Sequence, residues 1–353
     1  MKLLDITSLY WYNADLLKYY ELLSPEIPDF ILEYANTKEM LKQQYISITC
    51  GTYYSKLYDN NRYSSLEHSI AVALIVRNFT KDKKQALSWL FHDISTPVFK
   101  HAIDYMNWDY HNQETTEDLT TEIISNSEEI MALLKRDNIK IEEINDYHLY
   151  PIADNNTPQL SADRLEYTIS NAFFTYNIVS FEEIKKWYND IKILKNENNE
   201  VELGFTHKTI AEIFEKNMSK LSIIYMLDET RYSMQLLADI LKIMHKHNEI
   251  QIQDLYNLKE SEIIEKIQNS KIGNIKECFN IWLNAKKINI SKTEPKNCYF
   301  VHHWTKIRYI DPLIQEENNQ RISTISPKAK EYINNCLNFD MNNYIYLDFQ
   351  LQD

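Results

Sequence analysis

The sequence predicts a mainly α-helical protein with additional C-terminal helices and a small β element. Three observations carry this. Only three glycines and eight prolines occur in 353 residues, so few positions can turn the backbone through positive φ, and tight-turned β architecture is disfavoured. Long segments set their apolar residues at helical spacing. The tail alone changes character, becoming β-rich and aromatic in CYFVHHWTKIRYIDPLI (298–314) and YIYLDFQL (344–351).

Residues 66–79, LEHSIAVALIVRNF, place Leu66, Ile70, Ala73, Leu74 and Arg77 at helical spacing and read as a nearly all-buried helix. Residues 82–94 repeat the theme, with Ala86, Leu87, Leu90, Phe91 and Ile94 on one face until Pro97 ends or redirects the helix. Residues 115–135 predict an amphipathic helix with an acidic outer face, opening on the capping sequence TTEDLTTEII. In SADRLEYTISNAFF (161–174), Ser161 is the N-cap, and Leu165, Ile169 and Ala172 continue on one face. The Asn-rich stretch 181–206 around KNENNEVELGF reads as a surface excursion and the best internal boundary. Two or three helices follow between 207 and 286. This divides the chain into a helical core with the metal site (1–180), a helical extension (181–297) and a small β-containing element (298–353).

A net charge of −13 argues against a general nucleic-acid binder, whose affinity rests on phosphate neutralisation by Lys and Arg. It leaves room for a local basic pocket that takes one small phosphorylated ligand. Cys50, Cys278, Cys298 and Cys336 show no CxxC spacing and read as reduced, mostly buried thiols. The N-terminal stretch lacks a signal-peptide core, and no later run of about 18 apolar residues is long enough to span a bilayer. No membrane association and a cytoplasmic location are therefore expected.

The chemistry centres on WLFHDISTPVFKH (89–101), where His92 and Asp93 stand side by side against an apolar face. Burying such a pair is costly unless something compensates the charge, and a metal ion would do so. His68 lies mid-helix in an apolar run, and Asp163 opens another apolar helix. Two imidazoles and two carboxylates suit Mn²⁺, Fe²⁺, Zn²⁺ or Ni²⁺, with Mg²⁺ also in range and Ca²⁺ less so. Adjacent residues on a helix point about 100° apart, so His92 and Asp93 grip one ion only if other helices bring the remaining ligands. HHWTKIR (302–308) reads as a solvated strand, on which Lys306 and Arg308 share a face and could meet a phosphate.

EHSIAVA, LFHDISTPVFKH and SADRLEY resemble the His…His-Asp…Asp signature of the HD-domain metal-dependent phosphohydrolases. The resemblance is closer to the branch containing the deoxynucleoside triphosphate triphosphohydrolases, whose central motif reads HDLGHGPFSH. It covers roughly residues 60–180. It implies an HD-domain helical bundle, with His68, His92, Asp93 and Asp163 holding a divalent ion. It also implies that His101 and His111 are acid-base candidates. Arg164 and, upstream, Arg62 would be phosphate contacts, and Tyr167 would line a nucleotide site. The competing reading of Arg164 is an ion pair with Glu166 or Asp163.

Two departures stand out. Thr96 replaces the catalytic histidine of HDxxH, and Asn171 stands near a position where the branch reads the sugar hydroxyl with an aspartate. A general acid or base contributes roughly 3 to 5 kcal/mol. Bringing a bound water from pKa 15.7 to about 7 is worth about 12 kcal/mol. The retained part therefore outweighs the missing one. The expected activity is hydrolysis of a phosphoester in a nucleotide or related small molecule by a metal-bound hydroxide, in a protein that self-associates as its relatives commonly do. The alternatives are a degenerate HD module that binds metal and nucleotide as a sensor or docking domain, and a two-iron oxygenase with His101 and His111 as extra ligands.

Overall fold

The computed structural model describes residues 14–107 and 119–353. The architecture is mainly α with two small sheets, an HD-like helical body. Its axis is the helix Ser65–Thr80. Ser64 caps it through a reciprocal box, accepting from the Glu67 amide (3.2 Å) while the Glu67 carboxylate accepts from the Ser64 amide (2.6 Å). Lys81, at φ 58°, ends it. Leu66 and every residue from His68 to Val76 are buried, because helices Ala14–Leu23, Asp29–Ala35, Lys83–Leu90 and Ala162–Ser170 pack around it. A helix enclosed on all sides needs no polar stripe, which is why its sequence is apolar throughout.

Two cores result. The first gathers around Ser65–Thr80 and includes Trp89, Phe91, Leu165 and Trp187. The second gathers around Asp228–Lys246 and includes Phe99, Tyr105, Leu237 and Trp282. The segment following His92 joins them, since helix His101–Met106 packs on Asp228–Lys246.

Strands β1 (Ile191–Lys195), β2 (Val201–Phe205), β5 (Leu313–Ile314) and β6 (Gln320–Arg321) form one sheet in the order β1-β2-β5-β6. The β2–β5 pairing is parallel and the other two are antiparallel. Strands β3 (Asn289–Ser291), β4 (Phe300–Val301) and β7 (Tyr344–Tyr346) form an antiparallel sheet in the order β3-β7-β4. Gly204 lets β2 approach β5: a Cβ there would lie 2.8 Å from the Leu313 carbonyl oxygen. The Leu203 amide donates to the Leu160 carbonyl (3.1 Å), so this sheet braces the start of the helix that carries Asp163.

Several local expectations change. The helix over 82–94 ends at Leu90, and His92 and Asp93 lie in the turn beyond it. The helix over 115–135 is two helices, Thr120–Asn126 and Glu128–Asp137, because Ser127 leaves helical geometry and caps the second. The stretch 181–206 is no loop: helix Phe181–Asp190 leads into the β1–β2 hairpin, with Leu203 and Phe205 buried. The Asn-rich run is only the hairpin turn. Five helices, not two or three, lie between 207 and 286. Residues 302–312 form no regular strand.

Candidate metal centre

Three elements converge at the joint between the cores. His68 is buried on the central helix, with Nδ1 hydrogen-bonded to the Glu166 carboxylate and Nε2 3.1 Å from Asp163 Oδ1. Asp163 and Glu166 lie three residues apart on Ala162–Ser170 and so share one face. That helix starts where it does because Ser161 accepts from the Arg164 amide (3.1 Å). Glu166 is fully buried and its oxygens also accept from Tyr19 (3.1 Å), Tyr63 (3.0 Å) and Ser170 (3.2 Å). It cannot rotate away from His68 without stranding those donors.

His92 comes from the turn after Lys83–Leu90. Gln43 fixes the turn from behind, its amide donating to the Ile94 carbonyl (2.9 Å). His92 Nδ1 donates to the Trp89 carbonyl (2.7 Å). A carbonyl only accepts, so the proton sits on Nδ1 and the Nε2 lone pair points elsewhere. Nε2 lies 3.9 Å from Asp163 Oδ1 and 3.8 Å from Asp93 Oδ1.

The ligand atoms of His68, His92 and Asp163 all lie within 4.8 Å of one another. Each histidine has its Nδ1 committed to an acceptor and its Nε2 turned to the shared point, the arrangement by which outer partners orient metal-binding imidazoles. This donor set fits one divalent transition-metal ion. Asp93 stands beside the trio: Oδ1 accepts from the Thr96 hydroxyl (2.9 Å) and Oδ2 from the Lys100 ammonium (2.5 Å). Thr96, in the motif position of a histidine, thus orients a carboxylate.

The electrostatics follow from burial and these partners. Burial alone would lower His68, but the Glu166 and Asp163 carboxylates push it up to about 10. Burial raises Asp163, and contact with His68 more than reverses this, to about 2. Asp93 is held well below the usual carboxylate range, since Lys100 and the two histidines outweigh burial. His92 is lowered, chiefly by burial. The site attracts positive charge, a demand that a divalent cation would meet.

A cavity of about 660 Å³ opens over the cluster and takes residues from both cores. His101 lines it, with Nδ1 2.9 Å from the fully buried Asp104 carboxylate and Nε2 3.3 Å from Arg308 Nη2. Burial lowers its pKa, and although the Asp104 contact opposes this, the Arg308 charge lowers it further. Tyr167 and Asn171 also line the cavity, and Asn171 donates to the Tyr225 hydroxyl (2.8 Å). Arg164 lines it too, but its guanidinium pairs with neither Glu166 nor Asp163. It donates to Asn155 Oδ1 (2.6 Å) and to the Asn155 and Gln159 carbonyls (2.5 and 3.1 Å), with Asp154 at 3.4 Å. Arg62 is absent from the cavity wall and donates to the Gln44 carbonyl. His111 lies outside the described residues.

No family model matches the chain. It is 23% identical over 254 residues to the uncharacterized protein YdhJ of Bacillus subtilis, covering 70% of this chain and 73% of that one. It is 25% identical over 130 residues to the metal-dependent phosphohydrolase cns2 of Cordyceps militaris, covering 35% of each. A hypothetical protein from Aquifex aeolicus superposes with a TM-score of 0.61 at 15% identity, over 90% of this chain and 92% of that one. A phosphohydrolase from Bacteroides thetaiotaomicron superposes with a TM-score of 0.60 at 11% identity, over 91% and 95%. The fold is shared nearly end to end.

Sequence reasoning missed two contributors, Glu166 and Lys100. Glu166 was visible only as a partner for Arg164; its i, i+3 spacing from Asp163 is the signal that places both against His68. Lys100 carries no spacing signal, because it reaches Asp93 through an irregular turn. Lys306 and Arg308 line the cavity, which corrects the expectation of a solvated strand.

Proposed function

We propose that the protein is a metal-dependent phosphohydrolase that cleaves a phosphoester of a nucleotide or related small molecule. The observation that carries the reading is the His68–His92–Asp163 cluster opening into a cavity that also presents Lys100, Lys306 and Arg308. The names of cns2 and of the Bacteroides structure support it.

His68, His92, Asp163 and Asp93 would hold the ion, which when bound supplies Lewis acidity and an activated water. Arg308 and Lys306 bind the anionic phosphoryl group and offset the charge that grows on it. His101, held by Asp104 with Nε2 facing Arg308 on the cavity wall, places a basic nitrogen that can take a proton from the attacking water and relay it to the leaving oxygen. Tyr167 and Asn171, on the wall contributed by the Asp163 helix and its extension, take the organic part of the substrate. The reading also carries a cytoplasmic, self-associating protein, in keeping with four cysteines that are all free.

The test is phosphate or pyrophosphate release with Mn²⁺ from a panel of nucleoside mono-, di- and triphosphates and simple phosphomonoesters, with Asp163→Ala as control. Turnover by the wild type and loss of both turnover and bound Mn²⁺ in the variant are expected. No turnover on the panel, or full turnover in a metal-free Asp163→Ala, would refute the proposal.

A further inference from the structure

We infer that Lys100 binds the phosphoryl group and supplies, on the second oxygen of Asp93, the positive charge that a second metal ion would otherwise bring. The inference rests on the phosphohydrolase reading and assigns a role to a residue at which the chain departs from the motif: HDLGHGPFSH carries serine where HDISTPVFKH carries Lys100.

Geometry comes first. The Lys100 side chain is buried, lines the cavity beside His92 and Asp163, and sets Nζ 2.5 Å from Asp93 Oδ2, while Thr96 occupies Oδ1. An ammonium group has three N–H donors. Asp93 takes one, and among the described residues no other hydrogen-bond acceptor meets Nζ. Two donors are thus left in a cavity next to a cluster that can hold an ion.

Charge comes second. Asp93, Asp163 and Glu166 bring three negative charges to the cluster, and Lys100 brings one positive charge. The remaining two negative charges are balanced by one divalent ion. A second ion would have to displace Lys100 from Oδ2.

The backbone is the third observation. Phe99 (φ 62°) and Lys100 (φ 41°, ψ −118°) are consecutive non-glycine residues at positive φ. Such conformations are sparse for L-residues and persist only where the surroundings over-determine them. Here the Val98 amide donates to the Leu255 carbonyl (2.9 Å), and the buried Glu260 carboxylate accepts from the Phe99 backbone. These anchors come from the second core, and they fix the turn that delivers the ammonium to the first.

The test uses the full chain loaded with Mn²⁺. Metal analysis and electron paramagnetic resonance should give one Mn²⁺ per chain, with no exchange-coupled pair at excess metal. Calorimetric titration of the loaded protein with inorganic phosphate should show Lys100→Met weakening the Kd by about tenfold or more, the scale of one lost charge-assisted hydrogen bond. Its Mn²⁺ content should be unchanged, and Lys100→Arg should recover most of the affinity. Two Mn²⁺ per wild-type chain would overturn the inference and leave the phosphohydrolase reading standing. An unchanged phosphate Kd in Lys100→Met, or loss of Mn²⁺ from it, would also overturn the inference. A wild type that binds no Mn²⁺ at all would remove both. If Lys100→Met does not fold, Lys100→Gln replaces it, while the wild-type stoichiometry decides independently.

Discussion

His68 and His101 each turn Nδ1 toward a fully buried carboxylate, Glu166 and Asp104, yet they settle in opposite states. Burial lowers both. His68 nevertheless rises to about 10 because Glu166 and then Asp163 surround it, whereas His101 stays low chiefly through burial, with the Arg308 charge at its other nitrogen adding to it. In the proposed site, the same His–carboxylate pair would therefore serve as a metal ligand in one place and as an acid-base group in the other. The groups opposite Nε2 differ in sign, the Asp163 carboxylate at 3.1 Å from His68 and the Arg308 guanidinium at 3.3 Å from His101, and each reinforces the shift of its ring. The buried carboxylate fixes each ring, and the sum of burial and surrounding charge sets its state.

Substitutions can break that contrast. His101→Ala should lower kcat by roughly 10²–10⁴-fold, the contribution of one acid-base group, and leave Mn²⁺ content intact. An unchanged kcat, or lost metal, would erase the distinction between the two rings.

Glu260 sharpens it as a buried carboxylate with no cation in hydrogen-bond contact among the described residues. Its acceptors meet the Ser47 amide (3.0 Å) and the Tyr54 hydroxyl (3.1 Å), and burial pushes it up to about 7 from 4.5. A raised carboxyl pKa means that the folded state holds the proton more tightly than the unfolded one. Its contribution to stability is complete below the unfolded pKa of 4.5 and is lost as pH rises through about 7. Denaturant melts of wild type against Glu260→Gln should differ by about 3 kcal/mol between these limits, on the scale of 1.36 kcal/mol per unit. A difference that does not change with pH would contradict this.

The smallest effect is expected from Glu166→Gln. The amide keeps a contact to His68 but removes the charge behind it, so Mn²⁺ affinity should fall by about 10–100-fold, as for other partners of metal-bound histidines. Equal affinity in calorimetry would mean that Glu166 only fills space.

The helical body was legible because its signal is local. Leu66 to Val76 and Leu165 to Ala172 repeat at helical spacing, and Ser161 caps as its residue type predicts. His68, His92 and Asp163 were legible as polar residues set against apolar surfaces, and the structure brings them together. The His92–Asp93 turn was harder, because nothing before Pro97 marks the end of the helix at Leu90. The β1–β2 hairpin was hidden by charged residues on its exposed face and by the polar turn that joins its strands. Lys100, Lys306 and Arg308 reach the cavity through irregular backbone, where side-chain direction has no period to read.

The most direct measurement is anomalous diffraction from crystals of the full chain soaked in Mn²⁺. The account predicts a single peak within coordination reach of His68 Nε2, His92 Nε2 and the Asp163 carboxylate. A well-occupied crystal with no peak at that point, or with its manganese bound elsewhere, would contradict it.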